Sequence, residues 1–309
     1  MKNLYTVSFI ALASLTSISA LAQNSLVLPT LEFQSQSGIL QSWMNPEVGG
    51  AWSKGYKGSG VTITTIDDFR SSNRLSGNFG TGMQSLRHGE WTSTEAKMIA
   101  PEATMKFQDF SQNAAVGLST GLNVLNLSYG MLARAGYNSN NIGWSSRENS
   151  IISYAKNGLA VVSKAAGNDS VAIGAANSAG NVDYLNLALK GAKSAIFVGA
   201  LSSNGTTASK ASLASYSNKA GADVTVQRQF LVVGVEGSKT GLYGTSFAAP
   251  IISGYSAILG SKFTSASPTQ IANQLLNTAR SDTISNYSAA VHGRGEASIA
   301  RALAPTIIR

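Results

Sequence analysis

The stretch Gly241-Leu-Tyr-Gly-Thr-Ser-Phe-Ala-Ala-Pro250 places a hydroxyl group where a helix is expected to begin. The glycines at 241 and 244 permit tight backbone turns, and Thr245 and Ser246 are residue types that favour helix starts. Residues 247–259 are rich in Ala and Ile, which predicts a largely buried helix. Ser246 is therefore expected at the amino end of that helix, where unpaired N–H groups and the helix dipole favour a developing oxyanion.

The longer string from Gly244 to Pro250, Gly-Thr-Ser-Phe-Ala-Ala-Pro, resembles the nucleophile segment of the subtilisin-like serine proteases. Gly-Thr-Ser alone would suit an N-capped core helix that carries no chemistry. The resemblance implies that Ser246 attacks the scissile carbonyl. It also implies that the other catalytic residues lie upstream, in the chain order Asp, His, Ser.

The aspartate is expected at the end of Val61-Thr-Ile-Thr-Thr-Ile-Asp67, which is β-branched and predicts a strand buried on both faces. The carboxyl end of a central strand is where α/β folds place their chemistry, although Asp is also a common turn residue. The end of this strand resembles the subtilase aspartate segment, with a second Asp as in its kexin-like branch. In that family an apolar residue precedes the catalytic Asp, so Ile66 selects Asp67, and strand alternation turns Asp68 away.

The chain has two histidines, so the general base is His88 or His292. The segment Arg87-His-Gly-Glu-Trp-Thr-Ser-Thr-Glu-Ala96 resembles the subtilase histidine motif, but it has Glu-Trp where the family usually has Thr-His. Its position between the candidate Asp and Ser selects His88. His292 falls in a Gly-x-Gly stretch that resembles the closing motif of the fold, particularly in catalytic domains of Gram-negative autotransporters.

Two further segments resemble the walls of the subtilase cleft. Leu122 to Gly130 predicts a strand, and the resemblance implies that Ser128, Tyr129 and Gly130 at its end pair with an extended substrate backbone. Residues 159–168 predict a buried strand ending in the family's Ala-Ala-Gly-Asn. By the same resemblance the Asn168 amide helps to hold the oxyanion, and the pocket for the substrate side chain is lined by Ala165, Ala166 and Gly167. Without chemistry, each segment fits a core strand that ends in a turn.

Strand and helix signals alternate from residue 61 to residue 303, which predicts an α/β fold with a mainly parallel, twisted sheet and helices on both faces. This is the architecture of the subtilisin-like family, and we assign residues 51–309 to one catalytic domain. One helix is predicted over Ser146 to Asn157, closed by Gly158, and another opens with the capping box Ser267-Pro-Thr-Gln270. Residues 131–149 are predicted to form a loop.

The amino terminus has the layout of a secretory signal peptide, with Lys2, an apolar run from Val7 to Leu15, and a small-residue site ending at Ala22. We expect residues 1–22 to be removed during export to the periplasm or the cell exterior, and residues 23–50 to form an extended lead-in. Nothing after the signal indicates a transmembrane segment.

Composition narrows the class of function further. The chain of 309 residues contains no cysteine, which excludes thiol catalysis and Cys-ligated metal. Its formal charge of +8 is scattered, without the basic runs of nucleic-acid binders. The expected partners are protein or peptide substrates of a monomeric enzyme. The sequence indicates no cofactor and no metal ligand set, and a structural calcium site cannot be recognised from it.

These features predict a secreted serine endopeptidase that forms an acyl-enzyme on Ser246. Short spacers around His88, and a lead-in shorter than the folding propeptide of many secreted subtilases, keep open a second hypothesis: a binding protein that uses the fold without turnover. A third hypothesis, an esterase, is disfavoured, because residues 244–248 are not a Gly-x-Ser-x-Gly elbow and the acid and histidine precede the serine.

Overall fold

The centre of the molecule is a six-stranded sheet in which every neighbouring pair of strands is parallel. The computed structural model describes residues 5–8, for their backbone only, and residues 38–308. The predicted α/β class with a mainly parallel sheet is confirmed. Within the described residues the strands are β1 Tyr5–Ser8, β2 Val61–Asp67, β3 Leu75–Gly77, β4 Gln84–Leu86, β5 Thr104–Asp109, β6 Leu122–Leu127, β7 Tyr129–Arg134, β8 Val161–Ala165, β9 Asn181–Asp183, β10 Ala195–Leu201 and β11 Phe230–Gly234.

Helices cover both faces of the sheet, as predicted. They are α1 Glu47–Trp52, α2 His88–Ile99, α3 Ser146–Asn157, α4 Tyr184–Leu189, α5 Val224–Gln229, α6 Gly237–Thr240, α7 Ala249–Lys262, α8 Pro268–Thr278, α9 Ala289–His292 and α10 Ile299–Ala302. One apolar cluster joins the sheet to α2, α7 and α8. A second cluster joins the opposite face to α3, α4 and α5.

The order of the strands places the candidate site at the carboxyl ends of three central strands of the sheet. The order is β11-β10-β8-β6-β2-β5, so β2, β6 and β8 are neighbours. Because parallel strands share a direction, their carboxyl ends meet. Asp67 closes β2, Ser128 follows β6, and Asn168 follows β8 by three residues. Helix α2 starts at the same edge, with His88 as its first residue.

The predicted strand from Leu122 to Gly130 is divided at Ser128. Strand β6 ends at Leu127, and β7 begins at Tyr129 in a separate antiparallel sheet of order β1-β7-β9. The break is fixed by side-chain contacts, since Ser128 Oγ donates to the carbonyl of Ser246 at 2.9 Å and accepts from Asn126 Nδ2 at 3.1 Å. The predicted loop at 131–149 therefore begins with the last four residues of β7, and it ends in the first turn of α3.

Local sequence signals predicted several other elements closely. All seven residues of β2 are buried. Helix α3 has the predicted bounds, and Gly158 adopts φ 70° at its end. Helix α8 opens with the capping box in which Ser267 and Gln270 bond each other's backbone.

The segment before residue 51 packs against the rest of the chain. Helix α1 crosses the predicted domain boundary, and Trp43, Met44 and Val48 are buried in the same cluster as α7. Trp43 Nε1 also donates to the carbonyl of Phe79 at 3.0 Å. Residues 43–50 are therefore not an extended lead-in, because they include the start of α1 and three apolar side chains of the core. The predicted signal peptide and residues 23–37 lie outside the described residues, apart from β1. Among residues 38–308, no helix combines the length and apolar character needed to cross a bilayer.

Candidate active site

A buried carboxylate and a buried imidazole meet at the carboxyl edge of the sheet. Nδ1 of His88 lies 2.6 Å from Oδ1 of Asp67, and both side chains are almost completely inaccessible to solvent. The same oxygen accepts the backbone N–H of Asp68 at 2.7 Å, and Oδ2 accepts the hydroxyl of Thr92 at 3.0 Å. The carboxylate is thus held by three donors, and it orients the ring with Nδ1 toward Asp67 and Nε2 directed away from it.

The residues around His88 explain the local motif. Gly89 donates its N–H to the carbonyl of Asp68 at 2.9 Å. A Cβ at position 89 would lie 2.8 Å from that carbonyl and from the Phe69 ring, so the close approach of α2 to β2 requires glycine. Glu90 caps the helix by accepting the N–H of Arg87 at 2.7 Å and pairing with its guanidinium at 3.0 Å. The departure from the family pattern at Glu90 therefore has a structural role.

Asp68 does not share the imidazole with Asp67. Its Oδ1 accepts the backbone N–H groups of Ser71 at 2.8 Å and Arg70 at 3.2 Å, and its Oδ2 accepts the Ser71 hydroxyl. These are the contacts of a turn cap. Strand alternation separates the two adjacent carboxylates, as the sequence predicts.

Ser246 lies in the 3₁₀ turn Thr245–Phe247 that leads into α7, where every residue from 249 to 260 is buried. Gly244 precedes it with φ 125°, a conformation that favours glycine. Ser246 Oγ donates to the carbonyl of Ser128 at 3.2 Å. The ring of Phe247 lies 5.8 Å from the ring of His88, so the turn borders the imidazole. Within the described residues, no hydrogen bond joins Ser246 Oγ to His88.

Asn168 is fastened to the turn that carries Ser246. Its Oδ1 accepts both the N–H of Thr245 at 2.8 Å and the Thr245 hydroxyl at 3.0 Å. The Thr245 hydroxyl also accepts the N–H of Gly167 at 3.0 Å. The carbonyl oxygen of the amide bonds Thr245, and its nitrogen Nδ2 faces Gly244. A Cβ added at Gly244 would lie only 3.1 Å from Nδ2. The amide N–H groups of Asn168 therefore lie beside the loop that precedes Ser246.

The two predicted cleft walls lie next to this turn. Ser128 and Tyr129 are completely buried, and the backbone of β7 pairs with β1 on one side and with β9 on the other. Strand β1 pairs antiparallel with β7, with Ser8 opposite Tyr129 and Val7 opposite Gly130. Residues 165–167 are buried, and the carbonyl of Ala166 accepts the amides of Asn186 and Asn218.

His292 lies in a different environment from His88. It is 3% exposed, its Nδ1 lies 3.3 Å from the backbone of Ser288, and its ring stacks on Tyr287. Burial lowers its pKa below the ordinary value. These contacts are those of a structural histidine in a short closing helix.

The contacts that two residues make in the site were not predicted from the sequence. Thr92 bonds Asp67, and its position four residues after His88 on one helix face could have indicated this contact. Thr245 holds Asn168, but the two residues are 77 positions apart, and no local pattern joins them. Among the described residues, no group of three or more His, Cys, Asp or Glu side chains is arranged to hold a metal ion.

A parallel α/β sheet that carries a buried Asp–His pair and a serine at a helix start is an arrangement found in serine-type hydrolases, and the family match identifies this chain as a serine-type peptidase. The chain belongs to the subtilase family, whose peptidase S8 model matches residues 87–295. The match includes His88, Asn168 and Ser246, while Asp67 lies upstream of it. No curated protein matches the chain in sequence.

Solved structures show the same fold at low sequence identity. The prenylagaramide maturation protease PagA is 20% identical with a TM-score of 0.56, and the match covers 84% of this chain and 98% of that one. MycP1 from the ESX-1 type VII secretion system is 18% identical with a TM-score of 0.56, covering 89% and 88%. MycP1 from Mycobacterium smegmatis is 18% identical with a TM-score of 0.55, covering 89% and 87%.

Proposed function

We propose that the protein is an exported serine endopeptidase with Ser246 as nucleophile, His88 as general base and Asp67 as the group that orients the imidazole. The observation that carries this proposal is the 2.6 Å contact between Asp67 and His88, at the edge of the sheet where Ser246 begins its turn. A neutral imidazole held through Nδ1 has its Nε2 lone pair available to accept a proton. Membership of the subtilase family supports the assignment.

The reaction begins when the Ser246 hydroxyl turns from the carbonyl of Ser128 toward Nε2 of His88. The proton passes to Nε2 as Oγ bonds to the scissile carbonyl carbon, and the carbonyl oxygen takes the negative charge. Asn168 Nδ2 and the N–H of Ser246 stabilise this oxyanion. His88 then returns the proton to the leaving amine as the C–N bond breaks, and water hydrolyses the acyl-enzyme by the same route.

Substrate would bind as an extended strand along β7, with the backbone at Ser128, Tyr129 and Gly130. The pairing of β1 with this strand supports the proposal, because an extended segment of the chain itself occupies that edge in antiparallel register. The side chain on the acyl side of the cleaved bond would lie against Ala165, Ala166 and Gly167. An internal segment of a polypeptide can be bound in this way, which makes the activity that of an endopeptidase.

The test is covalent labelling with a fluorophosphonate probe together with casein hydrolysis. Wild-type protein should be labelled on Ser246 and should cleave casein. Ser246→Ala should lose labelling and on the order of 10⁶ in kcat, because the acyl-enzyme cannot form. Ser128→Ala is the control for labelling: it also breaks a contact to the turn but keeps the nucleophile, so it should still be labelled. A folded wild-type protein that is not labelled is a fold without turnover, and one that cleaves only short-chain esters is an esterase.

A further inference from the structure

A buried ion pair lies behind the two cleft walls. Lys164, in the middle of apolar strand β8, is completely buried, and its Nζ lies 3.0 Å from Oδ2 of Asp183. The same ammonium donates to the carbonyl of Ala165 at 2.6 Å. Of the two side chains, only Asp183 keeps contact with solvent, at 7% exposure. Neither charge has a part in the mechanism above.

The pair connects the two segments between which a substrate side chain would lie. Asp183 Oδ1 accepts the N–H of Met131, the residue after Gly130 in β7, at 2.9 Å. It also caps α4 by accepting the N–H groups of Leu185 and Asn186. Through Lys164, the same carboxylate is joined to Ala165 in the opposite wall. Both walls are therefore bonded to the same ion pair, the carboxylate of Asp183 and the ammonium of Lys164.

Stability alone is a poor explanation for these charges. Taking a lysine and an aspartate out of water carries a desolvation penalty that their attraction only partly offsets, and an apolar pair of similar size often serves as well. Burial lowers the pKa of Lys164 and the nearby Asp183 opposes that shift, which shows both effects acting on the same ammonium. The position of the pair behind both walls gives it a chemical consequence. A carboxylate here without Lys164 would attract a basic substrate side chain.

We propose that Lys164 and Asp183 determine which substrate side chains the enzyme accepts at P1, the residue whose carbonyl is cleaved. Lys164 is a specificity-determining residue that supplies, from within the chain, the cation that Asp183 would otherwise take from the substrate. The enzyme therefore rejects Lys and Arg at P1 and accepts uncharged side chains. This inference rests on the proposed peptidase function.

The experiment compares matched peptides that differ only in P1 Ala, norleucine or Lys, cleaved by three forms of the full chain. Wild-type enzyme should cleave the uncharged peptides with a kcat/KM at least about tenfold above that for P1 Lys. Lys164→Met should raise the P1 Lys to norleucine ratio by about tenfold or more, because the vacated carboxylate binds the substrate ammonium. Lys164→Met/Asp183→Asn should lose that gain, because the carboxylate is gone as well.

The ratio within one variant separates specificity from structural damage, since a loosened site lowers both rates together. Preference of the wild-type enzyme for P1 Lys overturns the proposal even if Lys164→Met fails to fold. A folded Lys164→Met enzyme with an unchanged ratio overturns it too. Fluorophosphonate labelling of each sample distinguishes failure of this inference from failure of the proposed function. Labelled, active enzyme with an unmoved ratio contradicts this inference alone, whereas folded wild-type protein with neither labelling nor turnover contradicts the proposed function and this inference with it.

Discussion

The carboxylate of Asp67 and the imidazole of His88 meet at 2.6 Å because one residue ends a strand and the other begins a helix at the same edge of the sheet. The turn that directly follows Asp67 carries Asp68, whose carboxylate bonds Ser71. The two adjacent aspartates therefore bond different partners: Asp67 bonds His88, and Asp68 bonds Ser71.

We expect Asp67→Asn to preserve the fold and to lower kcat by about 10⁴, because an amide at this position stabilises the wrong imidazole tautomer. Asp68→Asn is the matched control, and it should lower kcat far less because it only weakens a turn cap. The measurement is kcat for both variants, with circular dichroism as the check on folding. A folded, near-normal Asp67→Asn enzyme beside an inactive Asp68→Asn would reverse the assignment.

Asn168 and Thr245 should act as one unit. Asn168→Ala should lower kcat by about 10²–10³ with little change in KM, since an oxyanion donor acts in the transition state. Thr245→Val removes the hydroxyl that positions the amide and should lower kcat by about tenfold.

Because Thr245 would act through Asn168, the double variant should be no slower than Asn168→Ala alone. The four values of kcat form the cycle that tests this. Additive losses would mean that Thr245 has a task independent of the amide, and a loss confined to KM would assign Asn168 to substrate binding.

The elements that the sequence predicted correctly are those whose signals are local. Helix α3 with Gly158 and the capping box at Ser267 depend on residues within a few positions of each other. The break at Ser128 depends on a bond to Ser246, 118 positions away, and no pattern within the strand contains it. Likewise, Lys164 lies in an apolar run, and its partner Asp183 is known only from the fold.

In the candidate site too, local signals could be recognised in the sequence, whereas contacts between distant residues could not. Motifs located Asp67, His88, Asn168 and Ser246 one at a time, and the structure brings the first two into contact. The segment before residue 51 was harder to predict, because its helix has only six residues and the apolar side chains of Trp43, Met44 and Val48 become core only when α7 packs against them.

Glu95 should make the stability of the fold depend on pH. It is 2% exposed, and its Oε2 has no hydrogen-bond partner within the described residues. Burial raises the pKa of its carboxyl well above the ordinary value of 4.5. Between 4.5 and the raised folded value, the folded protein binds more protons than the unfolded chain. Stability due to this group is therefore lost as pH rises through that window, by up to about 1.4 kcal/mol per pH unit.

Glu95→Gln removes the titration while keeping the shape, so its free energy of unfolding should be close to that of wild type near pH 4 and higher near pH 7. Urea unfolding at both pH values measures the difference. Glu102→Gln, at an exposed side chain in a 4.0 Å pair with Lys57, should stay within about 0.5 kcal/mol of wild type at each pH. If Glu95→Gln differs from wild type by the same amount at both pH values, the carboxyl binds protons equally in the folded and unfolded states and the prediction is wrong.

At the amino terminus, the expected signal cleavage and the position of β1 both bear on access to the proposed substrate edge. Cleavage after Ala22 would remove β1, the strand that pairs with Tyr129 and Gly130 at the proposed substrate edge. Intact-mass measurement of exported protein should therefore give a chain that begins at Gln23, and Met1 retained in that protein would contradict the signal assignment. A chain that keeps residues 1–22 should cleave peptides with a lower kcat/KM than the 23–309 chain. The loss should appear mainly in KM, because β1 and substrate compete for the same backbone groups of β7. Equal KM values for the two chains would show that β1 does not compete with substrate for that edge.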